Sequence, residues 1–343
     1  MDNQEKKEIE KKEEEKKEKE EEKKEKEKEK EKEKEIEKEI EKEDEEKEKK
    51  REELLKNYKP HPGFLGNLNE KQTELLSTFR DKVKDITPNF SGKYKDEERD
   101  LFLLRYLRGY QFNLEKAESY LREETKWRAE KKPETITRES VIDEINTMKA
   151  FISGTDKVGR PVMIVEAARH IKKVTSGEEM INFMIHIVEE AVSKMYYPVD
   201  SFVIIFNVKS VGWSNFDYSA CKEAAHILMN YYPERLGKLF LINMGWVFST
   251  LWKIGKRWID PETQTKFVFM KSKFLDTLKE FIDEDSIPKS LGGKFPDPKA
   301  IPRKKKTKEQ LKKEKEENGP LDSDDDFQIM ESDGQDDNQD EKK

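Results

Sequence analysis

The sequence predicts an α/β fold, a mixed, largely parallel β-sheet flanked by helices, preceded by a small all-α unit. Three observations carry that expectation. Apolar strand-like runs at 202–206, 239–242 and 267–270 alternate with amphipathic segments of helix length, the order that builds a sheet with crossover helices. The run Phe202-Val203-Ile204-Ile205-Phe206 is apolar throughout, as in a strand buried on both faces. Between 178 and 195, Ile181, Ile185, Val188 and Val192 fall on one helical stripe.

Taken in order, residues 1–53 are nearly pure Lys and Glu, with 27 acidic and 20 basic side chains, and cannot build a core. Glu-Lys alternation across 25–35 sets like charges at i,i+4 and opposite charges at i,i+3. Ile36 and Ile40 make one apolar pair where a coiled coil needs sustained heptads. Two readings stand: a partly helical, solvated tether, or an isolated charged helix serving as a functional rod.

Folded sequence starts near 58–64, giving a helical unit over 54–135 and a main lobe over 136–302. Helical periodicity runs through 97–108 until Gly109, and Asn113 is placed to cap a second helix carrying Leu114, Ala117, Leu121 and Trp127. Residues 154–161 have the Gly-x4-Gly-Arg spacing of a phosphate-binding loop but fail on mechanism. Arg160-Pro161 stand where Lys-Ser/Thr is needed, and strand 162–165 follows where a helix should begin. Further helices are expected at 178–195, 217–231 and 272–282. The segment 303–343, with 10 basic and 14 acidic residues, runs from basic to acidic and reads as a disordered tail. Ser323, followed by Asp324, Asp325 and Asp326, is a candidate for an acid-directed kinase.

With both ends removed, 249 residues remain, 39 basic and 35 acidic, an ordinary globular density and enough chain for a large core. Cys221 stands alone, which excludes a disulfide framework. No apolar run approaches the roughly 20 residues of a membrane span, and Met1-Asp2-Asn3-Gln4 opens neither a signal peptide nor a myristoylation site. The expectation is a cytoplasmic monomer with transient peripheral membrane contact and no nucleic-acid partner.

Signatures of catalysis are missing. There is no nucleophile elbow and no dinucleotide fingerprint. His61, His170, His186 and His226 have no metal-ligand spacing, and one cysteine cannot build a zinc site. His186 reads as a structural residue and Cys221 as a small packed one. No enzyme, cofactor or metal is expected.

Four landmarks follow one another over about 97–296: Leu103-Leu104-Arg105-Tyr106-Leu107-Arg108, Asp156-Lys157-Val158-Gly159-Arg160-Pro161-Val162, Tyr231-Tyr232-Pro233-Glu234-Arg235, and Ile287-Pro288 with Gly292-Gly293. Together they closely resemble the CRAL-TRIO lipid-binding family, in the branch of phosphatidylinositol/phosphatidylcholine transfer proteins. The resemblance implies that 154–161 is a hairpin turn. It also implies that the chain holds one lipid in a closed pocket and performs no bond chemistry.

A lipid needs an apolar cavity with a few polar groups at its mouth. Phe202, Ile204, Phe206, Phe240 and Ile242 are the expected strand lining, an ordinary core being the alternative. Across 246–258, Val247, Leu251, Ile254 and Trp258 share a helical stripe with Phe248 and Trp252 beside it, and Lys253, Lys256 and Arg257 lie opposite. Aromatics on one face and cations on the other suit a membrane interface. The resemblance makes this the gate helix; a plain core helix is the alternative.

For the head group, the resemblance assigns Glu234, Lys266 and Thr263 to contacts with an inositol phosphate. It places Tyr110 and Gln111 where relatives carry two cations, and Phe202 and Ile204 where they carry the Ser and Thr of a choline site. The implied function is non-catalytic binding and transfer or presentation of one lipid, a phospholipid such as phosphatidylinositol. The alternative is a lipid-sensing adaptor that binds a more apolar lipid without moving it.

Overall fold

The computed structural model describes residues 58–86, 97–301 and 303, together with residues 49, 52, 53, 55 and 56. The expectations for most of 1–53 and for the segment from 304 onward, Ser323 included, lie outside the described residues. All elements below belong to the unit that runs from Lys59.

Three helices form the first layer. Helix α1 (Glu70–Lys82) opens on a capping box that the periodicity alone had not located: Asn69 accepts from the Gln72 backbone N–H at 2.9 Å while the Asn69 N–H donates to Gln72 Oε1 at 3.1 Å. Helix α2 (Glu97–Gly109) ends at its glycine, and α3 (Leu114–Lys131) starts where Asn113 Oδ1 accepts the Lys116 N–H at 3.0 Å, as expected. Leu76 and Phe79 of α1, Leu103, Leu104 and Leu107 of α2 and Leu121 of α3 close one core. Full burial of each such side chain is worth about 1.5–3 kcal/mol, enough to hold three helices whose outer faces are charged.

Helix α4 (Ile142–Asn146) leads into a five-stranded sheet in the order β1-β2-β3-β4-β5. The strands are β1 (Ala150–Thr155), β2 (Pro161–Glu166), β3 (Phe202–Asn207), β4 (Leu236–Ile242) and β5 (Phe267–Phe269). The β1–β2 pair is antiparallel and the other three pairs are parallel. Asp156 makes the hairpin, its Oδ1 accepting the N–H groups of Val158 at 3.1 Å and Arg160 at 2.8 Å and its Oδ2 the Arg160 Nε–H at 2.7 Å. A turn stitched by its own aspartate is no phosphate cradle.

The crossovers are α5 (Gly177–Ser193), α6 (Tyr218–Tyr231) and α7 (Trp246–Gly255), the last followed by a 3₁₀ turn (Lys256–Trp258) and the short helix α8 (Pro261–Gln264). Strands laid down in sequential order with right-handed connections must put all crossovers on one face. The packing agrees, since side chains of α5, α6 and α7 pack with Phe202, Ile204 and Phe206. The other face is closed by α9 (Leu275–Phe281) and by Ile287 and Leu291 of the Ile-Pro…Gly-Gly landmark. Among the described residues no helix is long and apolar enough to cross a membrane.

Two expected boundaries move. The helix expected over 246–258 stops at Gly255, and Trp258 leaves the stripe to meet Tyr218 edge-on, ring centroids 5.1 Å apart. Arg303, assigned from sequence to the tail, is clasped by Glu144 and Glu179 beside the start of α5.

Candidate functional site

The two faces of the sheet are packed differently. Val203, Ile205, Phe240 and Ile242, facing α9, are fully sealed at 0% exposure. Facing the crossovers, Ile204, Phe206, Leu236 and Phe267 stay partly exposed although three helices cover them. On the same face Phe202, Leu239 and Leu241 are buried, so the partial exposure is local to those four side chains.

Two residues of the expected lining, Phe240 and Ile242, lie on the other face. Register pairs Ile204 with Leu239, Ile205 with Phe240 and Phe206 with Leu241. Phe202, Ile204 and Phe206 therefore share the crossover face with Leu239 and Leu241, while Phe240 and Ile242 point into the sealed α9 core. The alternation expected in β3 did not tell which alternate set of β4 would share its face.

Helix α7 lies over that open face. Phe248 approaches Phe206 at 6.4 Å between centroids, and the Trp252 ring sits 5.1 Å from both Phe267 and Phe269. Leu251 is buried, whereas Val247 and Ile254 are half-buried. No side chain caps its N-terminus, and a Cβ added at Gly245 would meet nothing within 4 Å. The helix is thus held by aromatic contacts with the sheet and lightly at its start. A cavity of about 150 Å³ at that end is lined by Val247 and Phe248 but by none of the five expected strand residues.

The polar site forms at the amino ends of β4 and β5. In the turn before β4, Tyr231 stacks on Trp127 at 4.6 Å and Tyr232 donates its hydroxyl to Glu189 at 2.6 Å. Arg235 donates to the Asp200 carbonyl at 2.9 Å. Those three side chains fix the turn, and Glu234 is held between them at φ 58°, a left-handed conformation costly for a side-chain-bearing residue. Its carboxylate accepts from Lys266 Nζ at 3.2 Å.

Lys266 is delivered by α8, whose cap Asp260 accepts the Thr263 N–H at 2.9 Å and whose Thr263 carbonyl accepts the Lys266 N–H at 3.0 Å. Thr263, Lys266 and Glu234 are therefore adjoining. The end of α2 completes the group: a Cβ on Gly109 would lie 3.6 Å from Glu234 Cγ. Tyr110 stacks on Tyr120 at 4.3 Å, and burial, the Tyr120 phenol and carboxylates that include Asp260 push its own phenol up. Arg108 is committed elsewhere, donating to Asp200 at 2.5 Å and lying 3.7 Å over the Phe64 ring. The site thus holds a lysine already neutralised by a glutamate, an aspartate, a threonine and a phenol.

Among the described residues no three His, Cys, Asp or Glu side chains are grouped to hold a metal. His186 Nδ1 lies 3.0 Å from the Ile136 carbonyl, a structural hydrogen bond.

Residues 145–293 match the family described as the CRAL/TRIO domain. Over 249 residues the chain is 30% identical to the SEC14 cytosolic factor of Kluyveromyces lactis, covering 67% of this chain and 81% of that one. This chain belongs to the CRAL/TRIO family. It is also 29% identical over 248 residues to the phosphatidylinositol transfer protein CSR1 of Eremothecium gossypii, and spans 56% of that longer relative. The CRAL/TRIO fold is shared with the crystal structure of Sfh5, at a TM-score of 0.57 and 18% identity, covering 73% of this chain and 97% of the other.

Sequence reasoning could not separate Leu239 and Leu241 from Phe240 and Ile242, because this half of β4 is buried on both faces and carries no alternation. It also left out Trp246 from the gate group, although that residue begins α7 and is 77% exposed.

Proposed function

We propose that this CRAL/TRIO chain binds one lipid between the open face of its sheet and α7, and transfers or presents it at membranes without catalysing a reaction. One observation carries the reading: Ile204, Phe206 and Phe267 remain partly exposed beneath the crossovers, with α7 resting on Phe206 and Phe267, while Val203, Ile205, Phe240 and Ile242 of the opposite face are sealed. Acyl chains would fill that space once α7 swings from Phe206, Phe267 and Phe269. Phe202, Ile204, Phe206, Leu239 and Leu241 would line it, with Phe248, Leu251 and Trp252 above. The name of the phosphatidylinositol transfer protein relative supports the same assignment.

The head group would meet Glu234, Lys266 and Thr263. With Tyr110 and Gln111 in place of cations, phosphatidylinositol would be held less firmly than by a site with two further positive charges. The carrier would work as a cytoplasmic monomer, comprising the helical unit through 135 and the lobe 136–302, and touching membranes transiently.

Lipid transfer between donor and acceptor liposomes tests the reading, together with mass spectrometry of lipid bound to the purified chain. Bound lipid with measurable transfer is the expected result. Bound lipid without transfer would make the chain a sensor, and no bound lipid would defeat the proposal.

A further inference from the structure

At the edge of the sheet opposite the Glu234 turn, four segments converge: 167–176 after β2, 208–217 after β3, 243–246 after β4 and 270–274 after β5. Asn215 Nδ2 donates to the carbonyls of Ala168 at 3.1 Å and His170 at 2.7 Å, and Lys172 N–H donates to the Ser214 carbonyl at 3.1 Å. Asn243 N–H donates to the Lys271 carbonyl at 3.2 Å. The cavity of about 150 Å³ sits in the same place, walled by Val208 and Val211 on one side and by Gly245 and Trp246 on the other. The four segments thus form one continuous surface.

Its composition is unusual for solvent. Trp246 is 77% exposed, Trp213 47% and Ile171 46%. Lys173, Lys209, Lys271 and Lys273 are exposed. The four segments contain a single acid, Asp217, which is buried and spends its carboxylate capping α6 by accepting the Ala220 N–H at 3.1 Å. Large indole rings standing in water cost free energy that a bilayer interface relieves, since Trp prefers the head-group level. Glu166, with Asp297 near it, lies near Lys209, but the exposed lysines outnumber the acids around them, and that excess creates a positive field that an anionic lipid surface answers.

We propose that this edge docks on an anionic bilayer, Trp213 and Trp246 entering the interface and the four lysines facing lipid phosphates. The proposal rests on the reading of the chain as a lipid carrier and adds which surface meets the membrane and which lipid charge it selects. The consequence is geometric. Strands β2 to β5 are parallel, so the docking edge and the head-group turn lie at opposite ends of the sheet. Helix α7 starts in the bilayer interface at Trp246 and runs toward the turn. The bilayer therefore acts on the lightly held start of α7.

The test is sedimentation of the full chain with vesicles of phosphatidylcholine alone, or with about 30% phosphatidylserine, at about 0.1 M salt, where surface charges act over roughly 10 Å. Each lysine near an anionic surface strengthens partition roughly fivefold. Wild type is expected to favour the anionic vesicles at least about tenfold, and Lys209→Glu/Lys271→Glu/Lys273→Glu to lose that preference. Trp213→Ala/Trp246→Ala should weaken binding to both vesicles. Lys253→Glu/Lys256→Glu, charges on α7 outside the edge, should leave the preference in place.

An absent preference in wild type, a preference that survives the triple reversal, or one lost only with the α7 pair overturns the proposal. So does a wild type that ignores vesicles yet binds a peptide of residues 318–343 through the same lysines, which would make an acidic protein segment the occupant. Lipid loading from detergent micelles, where no bilayer exists, is measured in parallel. If it persists while vesicle docking fails, the carrier reading stands and the docking edge falls. If wild type cannot be loaded even from micelles, the carrier reading itself falls.

Discussion

Glu234 and Lys266 meet at 3.2 Å across the amino ends of β4 and β5, and Glu234 reaches that pair from a left-handed backbone at φ 58°. The ion pair is partly exposed and contributes little to stability by itself. Glu234 thus combines a backbone cost with a carboxylate contact. Replacing it separates the two contributions. Glu234→Gly is expected to be more stable than Glu234→Ala by about 1 kcal/mol, because glycine accepts the backbone angle freely. Both should lose head-group discrimination equally. Urea unfolding and lipid loading check this; an Ala variant as stable as the Gly variant removes the strain argument.

Restoring charge should raise phosphoinositide binding. Tyr110→Arg with Gln111→Lys breaks the 4.3 Å stack on Tyr120 and brings two cations to the end of α2, beside Glu234 and Asp260. Each charge-assisted contact is worth about 1.5–3 kcal/mol, so at least a tenfold gain in phosphatidylinositol loading is expected. No gain would show that the head group does not sit at this edge.

Truncating the aromatic contacts of α7 should act on loading more than on folding. Phe248→Ala/Trp252→Ala removes the rings that meet Phe206, Phe267 and Phe269. Circular dichroism should stay native, while lipid loaded from vesicles should leak several-fold faster. Unchanged retention with a native spectrum would make α7 an ordinary cover.

Arg108 and Asp200 tie the helical unit to the lobe, with an arginine side chain only 7% exposed. Asp200→Ala leaves that guanidinium buried without its partner, a loss of about 3 kcal/mol or more in unfolding free energy. A cost below about 1 kcal/mol would mean that water replaces the carboxylate.

The pair Lys149 and His170 predicts acid sensitivity. Lys149 Nζ lies 3.3 Å from His170 Nδ1 in a buried pocket with Glu144, and burial, aided by the Lys149 charge, pushes His170 down to about 4. A folded-state value below the ordinary 6.5 means the unfolded chain takes up the proton first. Stability from this group is complete above about pH 6.5 and is lost as pH falls toward 4, by about 3 kcal/mol at most. His170→Gln should flatten that part of the stability–pH curve relative to wild type in unfolding measurements between pH 7 and 4.5. An identical slope would place the acid sensitivity elsewhere.

Periodicity and caps in the sequence determined where the elements lie. The stripe of Ile181, Ile185 and Val188, the Asn113 cap and the all-apolar run of β3 each follow from local rules that tertiary contacts did not overrule. With the strands in spatial order β1-β2-β3-β4-β5, a fact of the assembled sheet, connection handedness places α5, α6 and α7 on one face. What the sequence could not determine is which residues look at one another across that face. Strand β4 is buried on both sides, so its residues carry no alternation, and its register with β3 is shifted by an irregularity between Phe202 and Val203. Only the assembled sheet put Leu239 and Leu241 under α7 and turned Phe240 and Ile242 away. Tertiary structure also decided the charge at the amino ends of β4 and β5. Lys266 and Glu234 are 32 residues apart, and their mutual neutralisation exists only once β4 and β5 lie side by side.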